Sequence, residues 1–177
     1  MAKILAFAGS NSSTSINFIL VKHTATLAAS HEVELLNMSD LLFPMYSENH
    51  EKTKGFPDSV VAFKKIIEGV QGVIISVNEH NGYVSAYFKN LLDWLSRLDR
   101  SFLEGKKVLL MGTSPGKRGA IGALEAVSGM LPRFGAEITT TFSLPSFYDN
   151  FKEEKGITDM ELSKTHKKAM NAFINSL

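Results

Sequence analysis

The sequence predicts an α/β chain: one five-stranded parallel sheet, doubly wound, between two layers of helices. Three observations predict it. Five short apolar or β-rich runs alternate with five stretches of helical spacing. Two of those runs, KILAFA (3–8) and GVIISVN (72–78), are apolar almost without interruption, as strands covered on both faces are. Loops rich in Gly, Ser or Asn follow the first, third and fourth runs, at 9–17, 78–83 and 113–119. In a parallel sheet ligands sit outside the carboxyl ends of the strands, where such loops gather. A length of 177 residues suits one domain over 1–177.

The elements follow in order. After the KILAFA strand, Ile16, Ile19, Leu20, His23 and Leu27 recur at helical spacing. HEVELLN (31–37) alternates with period two and reads as a strand. Residues 43–57, bracketed by Pro44 and Pro57, read as a polar loop. A helix is expected over 58–69, ending at Gly69, and another over 84–98 with Phe88, Leu91, Leu92, Leu95 and Leu98 on one side. KKVLLMGT (106–113) is the fourth strand, followed by the turn SPGKRG and a helix over 120–134. AEITTTFS (136–143) is the fifth strand, and a loop through Pro145 and Phe151 leads to a last helix over 159–176. Around Trp94, the set Tyr83, Tyr87, Phe88, Leu91, Leu92 and Leu95 is apolar over a wider arc than one sheet face needs, which suggests a subunit contact.

Composition bounds the function. A 44% hydrophobic chain with 12 phenylalanines buries a sizeable core. The net charge of +1, from 19 basic and 18 acidic side chains, predicts no nucleic-acid or membrane partner. With no cysteine, disulfides, thiolate catalysis and cysteine metal sites are excluded, and the chain fits a reducing cytoplasm. The histidines at 23, 31, 50, 80 and 166 share no ligand spacing, so no metal site is expected. His23 reads as a half-buried helix residue and His166 as a solvent-facing one. Ala6-Phe7-Ala8 has the form of a signal cleavage site, but the apolar run before it is too short for a signal peptide, and no segment has transmembrane length.

The loops carry the chemistry. GSNSSTSIN (9–17) crowds hydroxyls and amides between a strand and a helix, with no lysine or arginine among them. At a helix N-terminus its backbone N–H groups, dipole and hydroxyls suit a phosphate, whereas capping alone needs only one such residue. Neither a dinucleotide glycine pattern nor a P-loop is present. GTSPG (112–116) matches a nucleophile elbow, and Asp149, Asp159 and His166 follow in hydrolase order. Pro115 defeats that reading, because the residue after the nucleophile must lend a backbone N–H to the oxyanion hole. A tight turn that lets backbone approach a flat ligand fits better. NEHNGY (78–83) gathers Glu79, His80, Asn81 and Gly82 in one turn, and Asn-Gly alone marks no more than a turn.

Together these loops resemble one family, the NADPH-dependent FMN reductases of flavodoxin-like fold, which include quinone, chromate and azo-dye reductases. The family's first loop, G-S-x-R-x-x-S-x-N, is matched by Gly9, Ser10, Asn11, Ser12, Ser13, Thr14, Ser15, Ile16 and Asn17. Its P-E-Y-N-G turn and the K-N-x-x-D-W that follows are matched by Asn78, Glu79, His80, Asn81 and Gly82, then Lys89, Asn90, Asp93 and Trp94. Its D-L…P-x-Y stretch is seen at Asp40, Leu41, Pro44 and Tyr46, its S-P-G at Ser114, Pro115 and Gly116, and its L-G-A at Phe134, Gly135 and Ala136.

The resemblance, over about 3–143, implies sheet order 2-1-3-4-5, FMN as cofactor and NADPH or NADH as reductant. It implies a phosphate on Ser10, Ser12, Ser15, Ile16, Asn17 and the local amides. The isoalloxazine would lie between 78–82 and the turn of Ser114, Pro115, Gly116, Lys117, Arg118 and Gly119. It also implies a small-molecule electron acceptor and a homodimer or homotetramer. Three departures stand out: the first-loop arginine is Ser12, the proline and tyrosine of the second turn are Asn78 and His80, and an arginine early in the fourth helix is Gly122, which Arg118 would replace. The rival readings are a non-enzymatic flavodoxin-like electron carrier and a relative that has lost FMN for a regulatory role. Carriers are usually strongly acidic, which a net charge of +1 is not.

Overall fold

The computed structural model describes residues 1–177. In chain order the elements are β1 (Lys3–Ala8), α1 (Ile16–Thr26), β2 (Glu32–Leu36), α2 (Glu48–Lys54), α3 (Asp58–Glu68), β3 (Gly72–Val77), β4 (Glu79–His80), β5 (Tyr83–Val84), α4 (Ala86–Leu98), β6 (Lys107–Thr113), α5 (Ile121–Met130), β7 (Glu137–Leu144), α6 (Phe147–Asn150), β8 (Phe151–Lys152), β9 (Gly156–Ile157) and α7 (Met160–Ile174). The five long strands form one parallel sheet in the order β2-β1-β3-β6-β7, which is 2-1-3-4-5 counted over those strands alone. The expected fold class, three-layer doubly wound and flavodoxin-like, is the observed one.

Period-two alternation divides the core. Leu5, Phe7, Val73, Ile75, Val108 and Leu110 point to one face, where α3, α4 and α5 bury Phe63, Phe88, Leu91 and Leu124. Ile4, Ala6, Ala8, Ile74, Leu109 and Met111 point to the other, under Leu20 and Val21 of α1 and Met170 and Phe173 of α7. The central strands read as continuous apolar runs because both faces are covered.

Two expectations need correction here. The 43–57 segment is not all loop. Ser47 accepts a hydrogen bond from His50 N at 3.1 Å, Glu48 and Glu51 occupy the first turn, Lys52 and Lys54 the last, and Gly55 ends the helix. Those are ordinary start and stop signals; the flanking prolines hid them. This segment also covers the apolar arc of α4 that suggested a subunit contact. Trp94 is fully buried, its Nε1 donating to Pro44 O at 2.7 Å, with the rings of Tyr46, His50 and Phe56 packed around it. The Tyr87 hydroxyl lies 3.0 and 2.9 Å from the carbonyls of Met38 and Leu41. Arg97 forks onto the Glu51 carboxylate at 3.0 and 3.1 Å, clamping α2 to α4. Most of the arc is therefore covered within the chain, and of its named residues only Tyr83 stays exposed.

His166 is the other correction. It is 1% exposed, not solvent-facing. Its Nε2 lies 2.8 Å from Thr24 Oγ1, and its ring stacks on His23 with centroids 5.6 Å apart. The half-buried reading of His23 holds.

Candidate functional site

The site is built at the carboxyl ends of β1, β3 and β6. Gly9 N donates to Ser76 O at 2.9 Å, and Ser85 Oγ, at the start of α4, donates to Gly9 O at 2.9 Å, so the first loop leaves the sheet from a fixed point. The loop then folds on its own hydroxyls. Ser10 Oγ accepts from Ser12 N, and Ser12 Oγ from Thr14 N, each at 3.3 Å. Ser15 caps α1, its Oγ accepting from Phe18 N at 3.2 Å. The backbone N–H groups of Asn11, Ser13, Ile16 and Asn17 find no partner in the chain. These are the orphan donors that make a helix N-terminus attractive to an anion.

Asn17 is used differently from what its position in the loop implies. It is 2% exposed. Its Oδ1 accepts from Ser76 Oγ at 2.7 Å and Thr113 N at 3.0 Å, and its Nδ2 donates to Thr113 O at 3.1 Å. The side chain is spent on holding α1 to the ends of β3 and β6, which leaves only its backbone N–H for a ligand.

The second loop is a two-residue hairpin. Asn81 and Gly82 have φ of 53° and 76°, and β4 pairs with β5 across them. Such turns demand two left-handed residues, and Asn-Gly supplies them. Glu79 reaches past the hairpin: its Oε2 accepts from Ala123 N at 3.0 Å in the first turn of α5. That helix has no cap of its own, since Ala120 at its start has φ 63° and offers no side-chain oxygen. Glu79 thus supplies the missing acceptor and the favourable negative charge from another element. Gly122 sits in the same contact. A Cβ there would lie 2.7 Å from Gly82 O and 2.9 Å from Glu79 Oε2, so the family arginine has no room.

The third loop is tied to the end of β7. Ser146 N donates to Gly116 O at 2.9 Å, Phe147 N to Ser114 O at 3.1 Å, and Ser143 Oγ to Gly119 O at 2.8 Å. Ser114 Oγ donates to Gly116 O at 3.2 Å, and no histidine bonds to it. His166, the candidate hydrolase base, is bonded to Thr24. A nucleophile elbow is not assembled.

These loops bound one open cleft of about 260 Å³. Ser10, Ser12, Ser15, Ile16, Asn17, Asn78, Glu79, His80, Ser114 and Pro115 all line it. Of the residues the sequence pointed to, Asn81, Gly82, Gly116, Lys117 and Gly119 lie outside its wall, Gly119 packed against Ser143 and Pro145. Thr14, Thr113 and Tyr148 also line it. Thr14 and Thr113 fall within the quoted loops but were not singled out as ligands; Tyr148 lies beyond the loop motifs and had no signal. No lysine or arginine lines the cleft, and His80 is the only group there able to carry a positive charge. His80 Nε2 lies 3.3 Å from Asn78 Nδ2, and Asn78 Oδ1 is buried without a partner. A larger groove of about 610 Å³ between β9 and α7 shares no lining residue with this cleft.

Fold and site together define a flavodoxin-like protein whose cleft, free of lysine and arginine, opens on unpaired backbone N–H groups at the head of α1. A flavodoxin from Pseudomonas aeruginosa superposes with a TM-score of 0.60 at 14% identity, covering 97% of this chain and 99% of that one, a likeness of fold alone. The chain belongs to the NADPH-dependent FMN reductase family, whose model matches residues 2–149. It is 34% identical over 116 residues to a quinone reductase of Escherichia coli, a match covering 64% of this chain and 61% of that enzyme. It is also similar to the flavoenzyme NAD(P)H:(acceptor) oxidoreductase FerB of Paracoccus denitrificans, with a TM-score of 0.78, 26% identity and coverage of 99% and 96%.

Proposed function

We propose that the chain is an FMN-dependent oxidoreductase that uses NADPH or NADH to reduce a flavin, a quinone or another small acceptor. The observation that carries this reading is one juxtaposition: the orphan N–H groups at the head of α1 share a cleft with the turns that end β3 and β6. The donor set suits the mononucleotide. An anion meets N–H and hydroxyl groups at one end, and a flat ring meets backbone and amides at the other. Asn78 Oδ1, buried without a partner, marks an unmet polar group at that second end.

In this reading Ser10, Ser12, Ser15 and Ile16 hold the phosphate through hydroxyls and backbone N–H groups, and Asn17 through its backbone alone. Asn78 and His80 meet the ring on one side, on the hairpin that Asn81 and Gly82 turn, and Ser114 and Pro115 meet it on the other, in the turn that Gly116 completes. Glu79 acts at one remove, its carboxylate fixing α5 against the hairpin. Gly119 ties the third loop to β7. Bound FMN supplies the ring that accepts hydride and passes electrons onward. Lys117 and Arg118, exposed and without an ion pair in the chain, are assigned in this reading to the phosphates of the nicotinamide nucleotide. The names of the quinone reductase of Escherichia coli and of FerB support a small acceptor. A cytoplasmic location and a dimer or tetramer belong to the same proposal. No helix is long and apolar enough to cross a membrane.

The test is anaerobic mixing of the FMN-loaded protein with NADPH or NADH. Loss of oxidised-flavin absorbance, followed by its return on adding a quinone, is the expected result. No reduction by either nucleotide would favour the electron-carrier reading.

A further inference from the structure

The cleft contains an aromatic side chain that none of the three loops supplies. Tyr148 is 63% exposed and lines the cleft together with Ser12, Thr14, Ile16 and Asn17. Only its backbone carbonyl is engaged in the chain, by Lys152 Nζ at 3.1 Å; its hydroxyl is free. An exposed tyrosine on a mobile loop carries little meaning. This one is fixed. Its neighbour Phe147 is 4% exposed and stacks on Phe151 with centroids 4.9 Å apart, and the Tyr148 ring packs edge-on against Phe147 at 5.6 Å. Asn150 Nδ2 donates to Pro145 O at 2.9 Å, closing the short helix on its own lead-in.

Its place follows from a chain of hydrogen bonds. Asn17, in the first turn of α1, is bonded to Thr113. Thr113 Oγ1 donates to Leu144 O at 2.7 Å, at the end of β7. Phe147 N and Ser146 N donate to Ser114 O and Gly116 O. The head of α1 and the helix carrying Tyr148 therefore stand side by side across the end of β6, on the α1 face of the sheet. The Asn-Gly hairpin stands with α5 on the opposite face.

We infer that Tyr148 donates its phenol hydroxyl to the phosphate of bound FMN, completing a cradle that has no lysine or arginine. The inference rests on the flavin reading above. A dianion held only by N–H and hydroxyl donors gains from each further donor, because an O–H bond to a charged oxygen is short and strong. The donor that Ser12 cannot supply in place of an arginine comes here from the segment that follows β7.

The test is fluorescence titration of FMN and of riboflavin, which lacks the phosphate, into the full chain and into Tyr148→Phe. The phenylalanine keeps the ring and its packing, and riboflavin is the control for the ring site. Tyr148→Phe is expected to weaken FMN about tenfold, the size of one hydrogen bond to a charged group, and to leave riboflavin unchanged. Unaltered FMN binding by Tyr148→Phe, or equal weakening of both flavins, overturns the inference. Wild-type chain that binds both flavins equally well overturns it while leaving the flavin reading intact. Wild-type chain that binds neither removes both.

Discussion

Asn17 and Thr113 hold each other by a reciprocal pair of hydrogen bonds, Thr113 N to Asn17 Oδ1 at 3.0 Å and Asn17 Nδ2 to Thr113 O at 3.1 Å. With Ser76 Oγ as a third partner, the amide is used up on the sheet. It sets the head of α1 over the ends of β3 and β6 and so fixes where the cradle's free N–H groups lie. Replacing it by leucine leaves Thr113 N–H and Ser76 Oγ buried without partners. Each such group costs about 1–3 kcal/mol. Asn17→Leu is therefore expected to lose about 3 kcal/mol in urea unfolding; a midpoint equal to wild type would show that the bonds do not hold the helix.

Glu79 capping α5 from the hairpin makes a smaller claim. Glu79→Ala should cost about 1 kcal/mol, the usual worth of a cap with its charge–dipole part. Glu79→Gln should recover the hydrogen bond but not the charge. Hydrogen exchange localises the effect: the amides at the start of α5 should lose protection first, and uniform loss across the chain would contradict the assignment.

Gly122 takes the place of a family arginine because backbone occupies the space. Gly122→Arg should destabilise the fold by about 1–3 kcal/mol, as overpacking does, and should not tighten FMN. Thermal melting and a flavin titration on the same variant check this. Tighter binding with an unchanged melt would mean that the hairpin yields easily and that the glycine is incidental.

The buried histidine pair makes stability depend on pH. Burial lowers the pKa of His166 from 6.5 to about 4, with the His23 charge and then Lys167 acting in the same direction. His23 is lowered too, by burial and then by Lys167. The groups facing the ring are Thr24 and His23 from α1, Phe142 from β7 and Lys167 beside it on α7. A depressed folded-state pKa stabilises above the unfolded value. The contribution of His166 is therefore fully present above about pH 6.5 and is lost as pH falls towards 4, a change of about 3 kcal/mol. Urea midpoints across that range should fall steeply for wild type and less steeply for His166→Gln, which keeps a partner for Thr24. Equal slopes would show that other groups carry the acid lability.

The sheet was legible because its central strands are covered on both faces and so read as unbroken apolar runs. The loops were legible because helix heads and tight turns restrict residue type: Ser15 caps α1 and Asn81-Gly82 turns the hairpin as their identities suggest. Sequence reasoning failed where a side chain's partner lies far along the chain. The Asn17 side chain looked free for a phosphate because its partner, Thr113, is 96 residues away. His166 looked exposed among Lys164, Lys167 and Lys168, with Thr24 142 residues distant. Its spacing to Ala169, Met170 and Phe173, all buried, was the signal available. Helix α2 was hidden by its flanking prolines, and Tyr148 enters the cleft through backbone bonds that no motif records.

The central claim is that a cradle without lysine or arginine holds FMN, and a direct titration of the purified chain with FMN, read by flavin fluorescence, tests it. Saturable quenching with a break near one FMN per chain is the expected result. Unquenched fluorescence at micromolar protein would contradict it, leaving a flavodoxin-like fold whose loops bind something other than a flavin.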